Sequence, residues 1–141
     1  QAVSLPSVTM GEVEVPTPFT KLRKPGDQLM FGDLVLQFRV DEDLVNYREM
    51  YNWMRSITRV DNFEESTAWV NEGSPMSDER VYSDGTLTIM NSAMNPNLVC
   101  NFTNMYPSTI SELPFMTTQN DVDYIEATVT FKFQKFDIVK L

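Results

Sequence analysis

The 141-residue chain has no histidine, and that absence alone removes much of the familiar catalytic apparatus. Ser-His-Asp and Cys-His nucleophile systems need an imidazole to carry the proton, and histidine-ligated metal sites need it as a ligand. Cysteine is almost as scarce. Cys100 stands alone, so neither an intrachain disulfide nor a thiolate zinc site can form, and its strand-like surroundings predict a small, buried, apolar thiol. The five glycines form neither a P-loop nor a dinucleotide fingerprint. Apolar runs are only a few residues long, far short of the ~20 that a membrane-spanning helix needs. Cations are outnumbered, with 11 Lys and Arg against 20 Asp and Glu, a net charge of -9 and a pI near 4.4. Such a surface repels a phosphate backbone instead of gripping it.

The acids that are present do not assemble into an obvious site. Asp41-Glu42-Asp43 lacks the spacing and the glycine of a helix-loop-helix calcium loop, and is read as a helix cap. Glu64 and Glu65, or Asp121 and Asp123, are of the right type for general acid-base work, but nothing in the pattern places either pair in a cleft. Asn101-Phe102-Thr103 spells a glycosylation sequon within a predicted strand. No cofactor and no metal are implied, and a structural protein is favoured over an enzyme.

What the chain does have is alternation. Leu34, Leu36, Phe38 and Val40 share one face of a strand, and after the acidic triplet the period lengthens to three and four. Leu44, Tyr47, Met50 or Tyr51, Met54 and Ile57 then form the stripe of a helix, with Leu44, Tyr47, Tyr51 and Met54 expected to seat it on a sheet. Ahead of this unit lies a proline-rich arm, about residues 7–27. Val8 to Val15 reads as a half-exposed strand, Pro16-Thr17-Pro18 ends it, and the basic patch Lys21-Leu22-Arg23-Lys24 runs into a turn at Pro25-Gly26-Asp27. With so few core formers, the arm either packs on another chain or is a surface hairpin of its own subunit. Beyond the helix, a polar insertion of about residues 58–83 is pinned by Trp69 and Val70. Strands follow around Thr86 to Met90 and Leu98 to Thr103, and Tyr106 to Thr109 opens a connection. In the closing strand Ile125, Ala127, Val129, Phe131 and Phe133 oppose Glu126, Thr128, Thr130, Lys132 and Gln134. The expectation is a single domain over 1–141, mainly β: an antiparallel sandwich or barrel of about six strands with one packed helix. Beginning at Gln1 within a strand-like run and without an initiator Met, the chain is expected to lack a preceding segment.

In order and spacing the sequence resembles the tail-tube proteins of long-tailed bacteriophages, the myophage inner-tube family in particular. The resemblance rests on Ser4-Leu5-Pro6, the arm ending in Pro16-Thr17-Pro18-Phe19, Pro25-Gly26-Asp27 before Phe31-Gly32-Asp33-Leu34, the capped helix with Tyr51-Asn52-Trp53, Tyr106 to Leu113, and the strand through Phe131 and Phe133. It implies six-subunit rings whose sheets join into an inner barrel, an arm bridging to the next ring, and a helix on the outer side. A related fold forms the inner tube of type VI secretion systems. It further implies a virion component assembled in the host cytoplasm, with sheath, baseplate and tape-measure proteins as partners, and DNA passing through without specific binding. Expected lumen-facing residues are Glu12, Glu14, Glu126, Thr128 and Thr130. Val8, Val13, Val15, Phe19, Lys21, Arg23 and Lys24 are expected in the inter-ring arm. Tube initiators and tail-end or neck proteins share the fold. The reading from another class is a monomeric carbohydrate-binding sandwich using Trp69, Tyr82 and Tyr106.

Overall fold

The closing strand, with the clearest alternation in the sequence, becomes a central strand of the sheet. In the computed structural model, which describes residues 2–58, 82–116 and 124–141, β7 (Glu126–Lys132) buries Ala127, Val129 and Phe131 and turns Glu126, Thr128, Thr130 and Lys132 the other way. It pairs antiparallel with β4 (Leu34–Arg39) on one side and β6 (Pro96–Ile110) on the other. β1 (Ala2–Ser4) extends the sheet beyond β4, and β5 (Ser83–Met90) extends it beyond β6. After a break at Phe133 and Gln134, β8 (Lys135–Lys140) resumes along the same edge of β6 in unbroken register.

β6 therefore belongs to two wings of one sheet, and it bends where they meet. Asn104 takes a positive φ of 55°, a conformation that asparagine tolerates better than most residues. Its Nδ2 donates to Gln134 Oε1 at 2.6 Å, and its main-chain N–H donates to Asp84 Oδ1 at 3.0 Å. Gln134 N–H in turn donates to the Thr103 carbonyl at 3.0 Å. Across the bend, Leu34, Cys100, Phe102, Met105, Val129 and Phe131 form one core, with Cys100 and Val129 completely covered. Phe102, Phe133 and Phe136 close one side of it, with ring centroids 5.1 to 5.8 Å apart.

Helix α1 (Val45–Thr58) lies on the core face of the sheet. Leu44, at φ 56°, turns the chain into it from just outside the first turn. Asn46 caps this end: its Oδ1 accepts the Tyr47 N–H at 2.8 Å and its Nδ2 donates to the Arg39 carbonyl at 2.8 Å. From the acidic triplet, expected to cap the helix, the Asp41 main-chain carbonyl accepts the Leu44 N–H. Met50 and Trp53 meet the core, Trp53 lying 6.1 Å from the Phe131 ring, while Tyr47 Oη donates to the Ser111 carbonyl. Tyr51 is exposed, which corrects its expected place on the packing face. One residue is about 100° of helix rotation, and Met50 takes the inward position.

The mainly β class with one packed helix holds, with eight strands among the described residues rather than about six. β3 (Lys21–Phe31) runs straight through Pro25-Gly26-Asp27, which was expected to turn, and β6 absorbs Tyr106 to Ile110, which was expected to be a connection. Both accommodate irregular residues through register shifts. The polar insertion, Trp69 and the Glu64/Glu65 and Asp121/Asp123 pairs lie outside the described residues.

Candidate functional site

β2 (Val8–Pro16) and β3 make a ribbon of their own, separate from the main sheet. At its root Gly32 N–H donates to the Ser7 carbonyl at 2.8 Å and Phe31 packs on Phe133 and Phe136. At its far end Thr17 N–H donates to the Thr20 carbonyl, closing a turn that leaves Phe19 100% exposed. Midway, the strands come so close that a Cβ on Gly26 would stand 2.6 Å from the Gly11 carbonyl oxygen. In the outer half Val13, Val15 and Leu22 share one face, with Lys24 opposite Val13, while Glu12, Glu14, Lys21 and Arg23 share the other. Lys21 pairs with Glu14 at 2.8 Å and Arg23 with Glu12 at 3.9 Å, each cation reaching diagonally across the ladder to its acid. None of the ribbon's residues is buried.

The second feature is the side of the main sheet that faces away from the core. Gln37, Arg39, Glu126, Thr128 and Thr130 stand together on it, joined by a hydrogen bond from Gln37 Nε2 to Glu126 Oε2. Of the five expected lumen residues, Glu126, Thr128 and Thr130 are thus neighbours, whereas Glu12 and Glu14 lie apart on the ribbon, already paired with cations.

Of the cations, sequence reasoning set Lys132 on the same side of the closing strand as Glu126 but did not single out Arg39 or Lys135. Arg39 lies opposite Glu126 with its guanidinium 3.6 Å from the centre of the Tyr124 ring. Lys132 reaches Asp33 at 3.3 Å and Lys135 reaches Asp137 at 3.6 Å. The period-two pattern that located Glu126 also locates Lys132, and the alternation of β4 places Arg39 opposite Leu36 and Phe38.

Neither feature has the form of a reaction centre. Among the described residues, no three acidic or Cys side chains converge as a metal site. A depression of about 550 Å³ beside Arg39, Asp41, Glu42 and Phe115 has its aromatic wall, Tyr124, covered by Arg39. Tyr82 and Tyr106, proposed as sugar-stacking rings, pack edge to face on each other at 5.8 Å. At the sheet's margins β1 and β5 carry no further strand among the described residues, and β8 pairs on one side only.

Comparison with known proteins agrees with this architecture. The phage tail tube protein family matches residues 1–139. No curated protein sequence matches significantly. Among solved structures, a chain of the anti-feeding prophage baseplate, determined with 6-fold symmetry, aligns over 99% of this chain and 79% of its own at 13% identity and a TM-score of 0.64. A chain of the sheath-tube complex of the extracellular contractile injection system PVC aligns over 99% and 80% at 17% identity and a TM-score of 0.60. Its sheath/tube terminator aligns over 98% and 83% at 18% identity and a TM-score of 0.62. At these identities the likeness is one of fold. By its match over nearly the whole length, the chain belongs to the phage tail tube protein family.

Proposed function

We propose that the chain is a subunit of hexameric rings that stack into a phage tail tube, the conduit through which DNA leaves the particle. The observation that carries this reading is the pairing of an uncovered polar sheet face with an uncovered arm. Beyond its root at Phe31, a strand pair of nine and eleven residues with no buried side chain adds little to a monomer, whereas a stacked assembly would supply the missing contacts. The open strand margins favour edge-to-edge joining around a ring, which removes the exposed edges that would otherwise template aggregation. The 6-fold symmetry of the baseplate relative supports six subunits. On this reading the single domain spans 1–141. Glu126, Thr128 and Thr130 line the passage, and Val8, Val13, Val15, Phe19, Lys21, Arg23 and Lys24 lie at the ring-to-ring contact. Sheath, baseplate and tape-measure proteins are the partners.

The lumen on this reading is balanced and not simply acidic: Lys132, Lys135 and Arg39 each have an acid or an aromatic ring nearby, so few cations are offered to passing phosphates. The baseplate and terminator relatives support a second role within the same fold, that of tube initiator or end protein.

Size-exclusion chromatography with negative-stain microscopy tests the reading. Rings or tubes are expected, and single rings that never stack would favour the end-protein role. A monomer near 16 kDa at all concentrations would overturn both. Within assembled particles, Glu126→Lys is expected to slow DNA ejection most at low salt. Unchanged ejection would remove Glu126 from the passage.

A further inference from the structure

Between the two margins of the sheet lies an apolar cleft of about 240 Å³. Phe102, Met105 and Phe131 form its floor, while Val3 and Leu36 on one side and Leu87 on the other form its walls. The floor is core, but the mouth is open, and Val3 at its rim is 41% exposed. Its size falls below the ~300 to 1,000 Å³ of small-molecule pockets and suits one or two side chains. Met105 holds the floor in place by lying over Gly85, where a Cβ would meet its sulfur at 2.4 Å.

The molecule also carries an apolar group without a seat. Phe19 is wholly exposed on a tip held by the Thr17 and Thr20 hydrogen bonds. The nine residues of β2, at ~3.3 Å each, put this tip roughly 30 Å from the arm's root. The arm's own packing ends at that root, so the tip needs a partner beyond its own core. On the stacking reading the body that the tip meets is a second copy. The three cations and three acids of residues 8–31 cancel, leaving the whole net charge of -9 outside the arm, so a neutral arm approaches an acidic body without like-charge repulsion.

We infer that Phe19 of one copy seats in the cleft between β1–β4 and β5 of another, making the arm tip a plug and the open side of the sheet its socket. This rests on the stacking reading above and adds to it a specific receptor. Burying one phenylalanine at every repeat would order the arm.

The test places a photo-reactive benzoylphenylalanine at position 19 in a mixture of isotopically heavy and light chains, irradiates assembled material and maps the cross-links by mass spectrometry. Heavy-to-light links to the peptides around Val3, Leu34 to Leu36 or Gly85 to Leu87 are expected. Tubes whose links map elsewhere would overturn the socket and leave stacking intact. Links within a single chain would likewise overturn it, and material that never assembles would remove both. In parallel, Phe19→Asp should reduce sedimentable tube at least about tenfold without moving the subunit's unfolding midpoint. Normal tube yield from this variant would also overturn the inference.

Discussion

β2 and β7 are both antiparallel strands with alternating side chains, yet β7 buries three residues and β2 buries none. Backbone pairing is equivalent in the two; what differs is the presence of a second layer. β7 lies under Trp53 and beside Phe102, and its alternate positions meet other side chains, whereas the alternate positions of β2 meet solvent. A hydrogen-bonded ladder is thus compatible with either state, and the apolar layer decides which part of the chain holds the domain together. Two-stranded ribbons alone are marginal in water, so the arm's order depends on what it touches in its working state.

The strongest way to break this contrast is to empty the core. Phe102→Ala, at a residue 2% exposed, is expected to cost about 3 to 5 kcal/mol in a urea titration, while Val13→Ala on the arm leaves the midpoint in place. Equal losses would erase the distinction. The helix offers the next test. Trp53→Ala should cost about 2 to 3 kcal/mol and Tyr51→Ala less than about 0.5 kcal/mol by thermal unfolding, because only Trp53 reaches Phe131. The reverse order would mean the helix is turned by one residue.

Glycine sharpens the comparison further. Gly85→Ala drives a methyl into Met105 and is expected to lose about 1 to 2 kcal/mol of global stability. Gly26→Ala meets the Gly11 backbone and should disorder the arm, seen as faster proteolysis near residue 26, with the global midpoint unchanged. The smallest effect is expected from Glu14→Gln, since the Lys21 pair is solvent-exposed: within about 0.5 kcal/mol, and less still at high salt.

The parts of the fold that could be read from sequence were those whose partners impose a local pattern. Ala127, Val129 and Phe131 alternate because one face of β7 is covered, and Leu34, Leu36 and Phe38 do so for the same reason. Pro25-Gly26-Asp27 misled because its residues have the chemistry of a turn. In the folded arm Pro25 pairs with Glu12, and Gly26 and Asp27 fall across from Gly11, where a register shift takes up the extra length. Tyr106-Pro107 looked like the end of a strand, but Pro107 is buried against the β7 ladder, and only that pairing, distant in sequence, keeps the strand going. Tyr51 and Met50 are both large and adjacent, so composition could not choose between them. The uncovered face was legible at Glu126 and less so at Arg39, whose neighbour Tyr124 comes from 85 positions further along the chain.

The strand order also fixes when the molecule can form during synthesis. β4 is made early but pairs with β7, which begins only at Glu126, and β1 depends on β4 in turn. Contacts this distant in sequence are slow to close. Until β7 has been translated, Leu34, Leu36 and Phe38 lack its ladder, and the cleft between the margins lacks the part of its floor that Phe131 supplies. A chain stopped before β7 therefore has neither a complete sheet nor a complete cleft to present. Only copies translated through β7 close the sheet, so the connectivity itself acts as a length check on each chain.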